Sequence, residues 1–354
     1  MDKIWANSAD SHTLEPHQLW KDRLPAELAE RAPWTVRDEG RETVYVDGQV
    51  MRRDPISFSD AIRPPGAEDV TIRLKDLDEQ GVWGEVVFPS RGFWIHNMTD
   101  PVLARECARV WNEWCAADFA SASPRLIPTA ILSVLDTGDA VAGLEYAASL
   151  GFQTVYMPAT PPPDRPYNSE VWEPLWAAAE EAGMPLCFHI GTGMMAQIVA
   201  HGPGGAVINY CETLYPGMRT VTHLVASGAL DRHPGLKVFV AEAGAAWVPA
   251  LADRMEEGYR QHDMFVRPKL SRSPREIIHS QVYASFQHDP TALQAVAAMG
   301  YANVMWGSDY PHLEGTFPET QKVLHELFDA ADPAVRERVT YGAFAELFSV
   351  PDRV

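Results

Sequence analysis

The sequence predicts an α/β protein of the (β/α)₈ TIM-barrel class with an insertion after the first strand. Three observations support this. Beyond about residue 70, short β-rich runs alternate with amphipathic helical stretches; eight such runs can be counted; and 354 residues accommodate one barrel with insertions. The whole chain, 1–354, is therefore read as a single domain.

Ile4 to Ala9 is the first strand. Residues 16–67 break the alternation and are read as an insertion or flap near the barrel mouth. Within it Thr43-Val-Tyr-Val-Asp47-Gly48-Gln-Val50 is a hairpin signal, because Asp-Gly readily takes the positive φ angles of a tight turn. Glu85–Pro89 is the second strand, followed by a helix from Pro101 to Ala120 with apolar residues at helical spacing. Leu126–Leu132 and Thr154–Met157 are the third and fourth strands, with helices over 137–150 and 169–182 after them. Leu186–Ile190, Lys237–Ala241, Val282–Phe286 and Asn303–Trp306 complete the eight, with helices over 218–227 and 247–261. Thr320–Phe348 supplies two closing helices.

Composition excludes several function classes. A formal charge of -19 argues against a nucleic-acid footprint and against adsorption to an anionic membrane. Hydrophobic residues at 46% and charged residues at 22% describe an ordinary globular chain. No apolar run approaches the roughly 18 residues that span a bilayer, and no signal peptide is visible at the N-terminus. Cys107, Cys115, Cys187 and Cys211 show no C-x-x-C spacing, so a reducing, cytoplasmic setting is expected.

The chemistry-bearing residues lie where apolar runs stop. Asp10 and His12 are one residue apart, which on an extended backbone puts both side chains on one face. Glu15 lies within reach of the same loop. His189 ends the fifth strand and precedes Gly191-Thr-Gly193. Asp309 follows Val304-Met-Trp-Gly-Ser, where an unpaired carboxylate would cost several kcal/mol to desolvate. Singly, each has a structural explanation: a turn, a satisfied core histidine, a paired acid. Together they form the pattern by which a barrel assembles one metal centre from distant sequence. Arg91, after the second strand, is suited to clamp a substrate carboxylate or to form a surface salt bridge. His288, after the seventh strand, and His312, three residues past Asp309, are candidate catalytic and substrate contacts.

Four motifs carry a resemblance: Asp10-x-His12-x-x-Glu15-Pro, Phe188-His189-x-Gly-Thr-Gly, Ser227-Gly-Ala-Leu-Asp-Arg-His-Pro-Gly-Leu-Lys-Val, and Trp306-Gly-Ser-Asp-Tyr-Pro-His312. The chain resembles the amidohydrolase superfamily, within the amidohydrolase 2 branch that contains α-amino-β-carboxymuconate-ε-semialdehyde decarboxylase and the resorcylate and dihydroxybenzoate decarboxylases. This resemblance implies one divalent metal on Asp10, His12, His189 and Asp309. Zn²⁺ is the first expectation, with Mn²⁺, Fe²⁺ or Co²⁺ as alternatives. It also implies a small-molecule carboxylate substrate and a tendency to form homodimers. At the sixth strand end the family decarboxylases often carry a histidine; this chain has Ala241-Glu242-Ala-Gly244, so Glu242 stands in for the imidazole.

The expected activity is non-oxidative decarboxylation of an aromatic or unsaturated carboxylic acid. Glu242 or His288 would handle the proton, Asp309 would serve the catalytic centre, and Arg91 and His312 would bind substrate. The alternative is metal-hydroxide hydrolysis of a lactone, ester or amide; a more distant one is a non-catalytic barrel scaffold.

Overall fold

The computed structural model describes residues 2–61, 63–194 and 200–353. Its strands are β1 (Ala6–Ser8), β2 (His12–Thr13), β3 (Trp34–Asp38), β4 (Arg41–Val46), β5 (Gln49–Pro55), β6 (Val82–Pro89), β7 (Leu126–Ile131), β8 (Thr154–Thr160), β9 (Leu186–Gly193), β10 (Val238–Ala241), β11 (Val282–Phe286) and β12 (Val304–Trp306). The barrel order is β1-β6-β7-β8-β9-β10-β11-β12, with β2 also pairing β6, and the neighbouring strands are parallel. The last strand meets the first through Ala9 N–H to Trp306 O at 2.9 Å, Asp309 N–H to Asp10 O at 2.9 Å and a parallel bridge from Ser11 to Tyr310. The barrel strands are buried on both faces, which is why they read as continuous apolar runs rather than alternating ones.

Helices between strands cover the barrel, and their ends follow local chemistry. Asp69 caps the helix Val70–Gln80 and Asp100 caps Pro101–Trp114, where proline at the first helical position loses no internal bond. Gly81 stops the first of these in a left-handed conformation (φ 75°). The helix expected to run to Ala120 changes at Cys115 into a π-type turn. The helix expected from Ser169 starts at Glu173 after a 3₁₀ turn. A short helix, Gly205–Glu212, was not anticipated.

The segment after β2 folds into an antiparallel sheet in the order β3-β4-β5. Asp47 and Gly48 turn the expected hairpin with φ of 51° and 72°. Glu39 and Gly40 turn the preceding one in the same way, at 46° and 75°. This second turn lacks the favoured Asx-Gly pair, so β3 was not legible in the sequence. Because barrel strands are parallel, their C-terminal ends share one mouth, and the polar residues within β2 and β9 or just beyond β10 and β12 converge there.

Candidate active site

Asp10, His12 and Asp309 are fully buried and His189 nearly so. His12 Nε2 lies 3.2 Å from Asp309 Oδ1 and 3.5 Å from Asp10 Oδ1. His189 Nε2 lies 3.4 Å from Asp10 Oδ1 and 3.5 Å from Glu242 Oε2. Each imidazole has its other nitrogen committed: His12 Nδ1 is 3.2 Å from Pro89 O, and His189 Nδ1 is 2.8 Å from Ile190 O. A carbonyl only accepts, so both Nδ1 atoms donate and both Nε2 atoms present lone pairs.

Those two Nε2 atoms and all four carboxylate oxygens of Asp10 and Asp309 are buried without a hydrogen-bond partner among the described residues. Six orphaned electron-pair donors in one place would be costly unless a cation binds them. The set fits a divalent metal held by Asp10, His12, His189 and Asp309. Asp10, His12 and His189 form one group whose ligand atoms all lie within 4.8 Å of one another; Asp10, Glu242 and Asp309 form a second, and His12, Asp309 and His312 a third.

Glu15 is excluded from this role by its own bonds. Its Oε1 accepts from Ser90 N at 3.0 Å, Gly92 N at 2.9 Å and Trp111 Nε1 at 3.0 Å, and its Oε2 from Arg91 N at 2.8 Å. It anchors the loop after β6.

Backbone strain marks two of these positions. Among the described residues, four other than glycine have positive φ: Glu39 and Asp47 in the hairpin turns, and Glu242 (61°) and Asp309 (51°) at strand ends. The left-handed conformation is unfavourable for residues with a Cβ and tends to collect at functional sites. Glu242 is held by Ser285 Oγ, which accepts its N–H at 3.0 Å, and its carboxylate turns toward His189. Gly307 permits the close approach of β12 to the first strand, since a Cβ there would sit 2.8 Å from Asp10 Cβ.

Burial raises Asp10 above the ordinary carboxylate range, with His189 opposing it. Burial likewise raises Glu242 well above that range, reinforced by the charges of Asp309 and Asp10. Burial also acts upward on Asp309, but His312 and His12 outweigh it and hold Asp309 down. His12 is lowered to about 3 by burial and by His312, which keeps its ring neutral. Two of the three carboxylates crowded in this dry site, Asp10 and Glu242, thus lack enough positive charge nearby to hold them in the ordinary range.

A cavity of about 250 Å³ opens above the cluster. His189, Glu242 and His312 form its polar floor, Phe93 and Trp94 its aromatic wall, and Val44, Arg52 and Arg63 come from the segment after β2. His312 Nδ1 lies 2.9 Å from Asp309 Oδ1, and its ring stacks on His12 with centroids 3.9 Å apart. Arg91 is buried and lines the same cavity. Its Nε donates to Thr35 Oγ1 at 3.1 Å and its Nη1 to the carbonyl of Glu15. His288 is exposed, 3.1 Å from Glu314 O, and does not line the cavity. Arg63, Tyr210 and Glu314 do line it and had no signal in the sequence, because they reach it from loops and from the short helix Gly205–Glu212.

A sequence-family profile described as amidohydrolase matches residues 86–349. The chain belongs to the amidohydrolase family. As a member of that family it is a metal-dependent enzyme, a carboxy-lyase or a hydrolase. No curated protein matches it in sequence. Among solved structures it is similar to an amidohydrolase from Mycobacterium avium subsp. paratuberculosis, with 19% identity, a TM-score of 0.80 and coverage of 99% of both chains. It is also similar to 5-carboxyvanillate decarboxylase from Sphingomonas paucimobilis, with 19% identity, a TM-score of 0.71 and coverage of 98% of this chain and 100% of that one. A dihydroxybenzoic acid decarboxylase from Polaromonas sp., with bound manganese and the inhibitor 2-nitroresorcinol, shows 18% identity and a TM-score of 0.63 over 97% of this chain and 96% of that one. At these identities the likeness concerns the amidohydrolase fold.

Proposed function

We propose that this amidohydrolase catalyses non-oxidative decarboxylation of an aromatic or unsaturated carboxylic acid. The observation that carries the reading is Arg91. Of the arginines around the cavity, Arg52 pairs with Asp54 and Arg63 with Glu42, but the Arg91 guanidinium has only a hydroxyl and a carbonyl as partners among the described residues. A buried guanidinium without a carboxylate partner is suited to receive one from a substrate. The aromatic wall of Phe93 and Trp94 suits a flat, unsaturated skeleton. Structural neighbours named as decarboxylases of hydroxylated aromatic acids support the same reading.

Asp10, His12, His189 and Asp309 would hold the divalent metal, which supplies Lewis-acid stabilisation for negative charge developing on a substrate oxygen. Two imidazoles with two carboxylates suit Zn²⁺, and the Polaromonas sp. structure contains Mn²⁺. Arg91 orients the carboxylate, and His312, with Nδ1 against Asp309, offers its other ring nitrogen to the substrate. When the carbon–carbon bond breaks, its electron pair stays on the ring or chain carbon and CO₂ leaves. Glu242, whose carboxyl is pushed well above the ordinary range by burial and by the charges of Asp309 and Asp10, donates the proton that forms the new C–H bond and is reprotonated by solvent.

The test is product analysis with hydroxybenzoates and carboxymuconates set against esters, lactones and amides. The expected result is CO₂ released in step with substrate loss, with solvent deuterium entering at the vacated carbon. Turnover of an ester, lactone or amide without CO₂ from any acid would establish the hydrolytic alternative instead. Arg91→Met should raise KM about 10–100-fold, the worth of one charge-assisted contact; an unchanged KM would remove its role.

A further inference from the structure

Arg73 lies on the helix Val70–Gln80, outside the barrel and behind the strand ends that carry His12 and Asp309. Its side chain is fully buried, as is that of Glu85 on β6, with which its Nε pairs. Its Nη1 donates to the main-chain carbonyl of His12 at 2.7 Å. The guanidinium also lies 4.8 Å from the centre of the Tyr310 ring, a cation–π contact. Tyr310 directly follows Asp309, and its hydroxyl donates to Asp76, one helical turn beyond Arg73, at 2.8 Å. Gly66 leaves room for this arrangement, since a Cβ there would collide with the Tyr310 hydroxyl and the Asp76 carboxylate.

A buried ion pair is weak evidence of stabilisation, because desolvation cancels much of the attraction and apolar replacements are often neutral. Here the case is weaker still, since Arg73 Nη2 and Glu85 Oε2 have no hydrogen-bond partner among the described residues. What an apolar pair cannot do is address two strand ends at once. The guanidinium edge fixes the main chain of His12, and its face fixes the residue next to Asp309.

We infer that Arg73 is a positioning residue for the metal site, registering the first-strand ligands Asp10 and His12 against the eighth-strand ligand Asp309. The inference rests on the metal-site reading above. Its test is titration of the metal-free full-length chain with Zn²⁺ and with Mn²⁺, alongside the Tm of the metal-free protein. Wild type is compared with Arg73→Lys and with the double variant Arg73→Met, Glu85→Met, which leaves no buried charge unpaired.

The double variant should keep its metal-free Tm to within a few degrees and bind metal about 10–100-fold more weakly, the usual effect of removing an outer support of a ligand. Arg73→Lys, which keeps a charge for Glu85 but loses the fork, should fall between. Unchanged affinity in both variants overturns the inference, whatever happens to Tm. If the double variant does not fold, Arg73→Lys carries the test alone. Wild type that binds neither metal would defeat the metal-site reading itself, whereas normal wild-type binding with unchanged variants defeats only the role of Arg73.

Discussion

Asp10 and Glu15 lie five residues apart on the same segment, and both are fully buried, yet their surroundings are opposite. Four N–H donors meet the Glu15 carboxylate, whereas both oxygens of Asp10 lack a hydrogen bond among the described residues. A carboxylate whose lone pairs are all used holds the fold together. One whose lone pairs are all free, beside two imidazole lone pairs, is arranged for a cation. Burial alone therefore does not identify a ligand; the state of its electron pairs does.

The sharpest way to break this contrast is to remove each charge in turn. Asp10→Asn should abolish metal retention and turnover while leaving a folded protein, read by metal analysis and circular dichroism. Full metal content in that variant would place the ligand elsewhere. Glu242→Gln should keep the metal and lose about 10²–10⁴-fold in turnover, the range for a lost acid–base group. Unchanged turnover would leave Glu242 as a spectator. Glu15→Gln should do the reverse of Asp10→Asn: metal content is retained, and stability falls by about 2–3 kcal/mol in denaturant titration as charge-assisted bonds are lost. Loss of metal at undiminished stability would invert the assignment of the two acids.

Glu42 extends the comparison to a third buried carboxylate. Burial would raise it, but Arg63 and Arg37 outweigh burial and hold it at about 2, below its ordinary value of 4.5. A depressed folded-state value means that the stabilisation is present above pH 4.5 and is lost as pH falls toward 2. The acid limb of the Tm–pH profile should therefore flatten in Glu42→Gln, and an unaltered limb would show that the pairing contributes nothing.

The contrast also explains what the sequence could reveal. The barrel was legible because parallel strands buried on both faces leave uninterrupted apolar runs, each followed by helical spacing. Asp10, His12, His189 and Asp309 stood out because each is a polar group at the end of such a run, and the structure brings these four together. Asp10 could be preferred to Glu15 only by its shared face with His12, since the donors that saturate Glu15 come from residues 90–92 and 111. The positive φ of Glu242 and Asp309 leaves no mark in a sequence without glycine at those positions. His288 looked equivalent to the other strand-end groups because chain position alone does not say whether a side chain turns into the cavity or out to solvent. Arg63, Tyr210 and Glu314 reach the cavity from loops and a short helix, where no periodicity predicts direction.

The central claim is that one divalent metal sits among Asp10, His12, His189 and Asp309. The most direct measurement is anomalous X-ray diffraction from crystals of the protein grown with Mn²⁺. The account predicts about one strong anomalous peak per chain, within bonding distance of the Nε2 atoms of His12 and His189 and the carboxylates of Asp10 and Asp309. No peak there, or a peak ligated by Glu15, would contradict it.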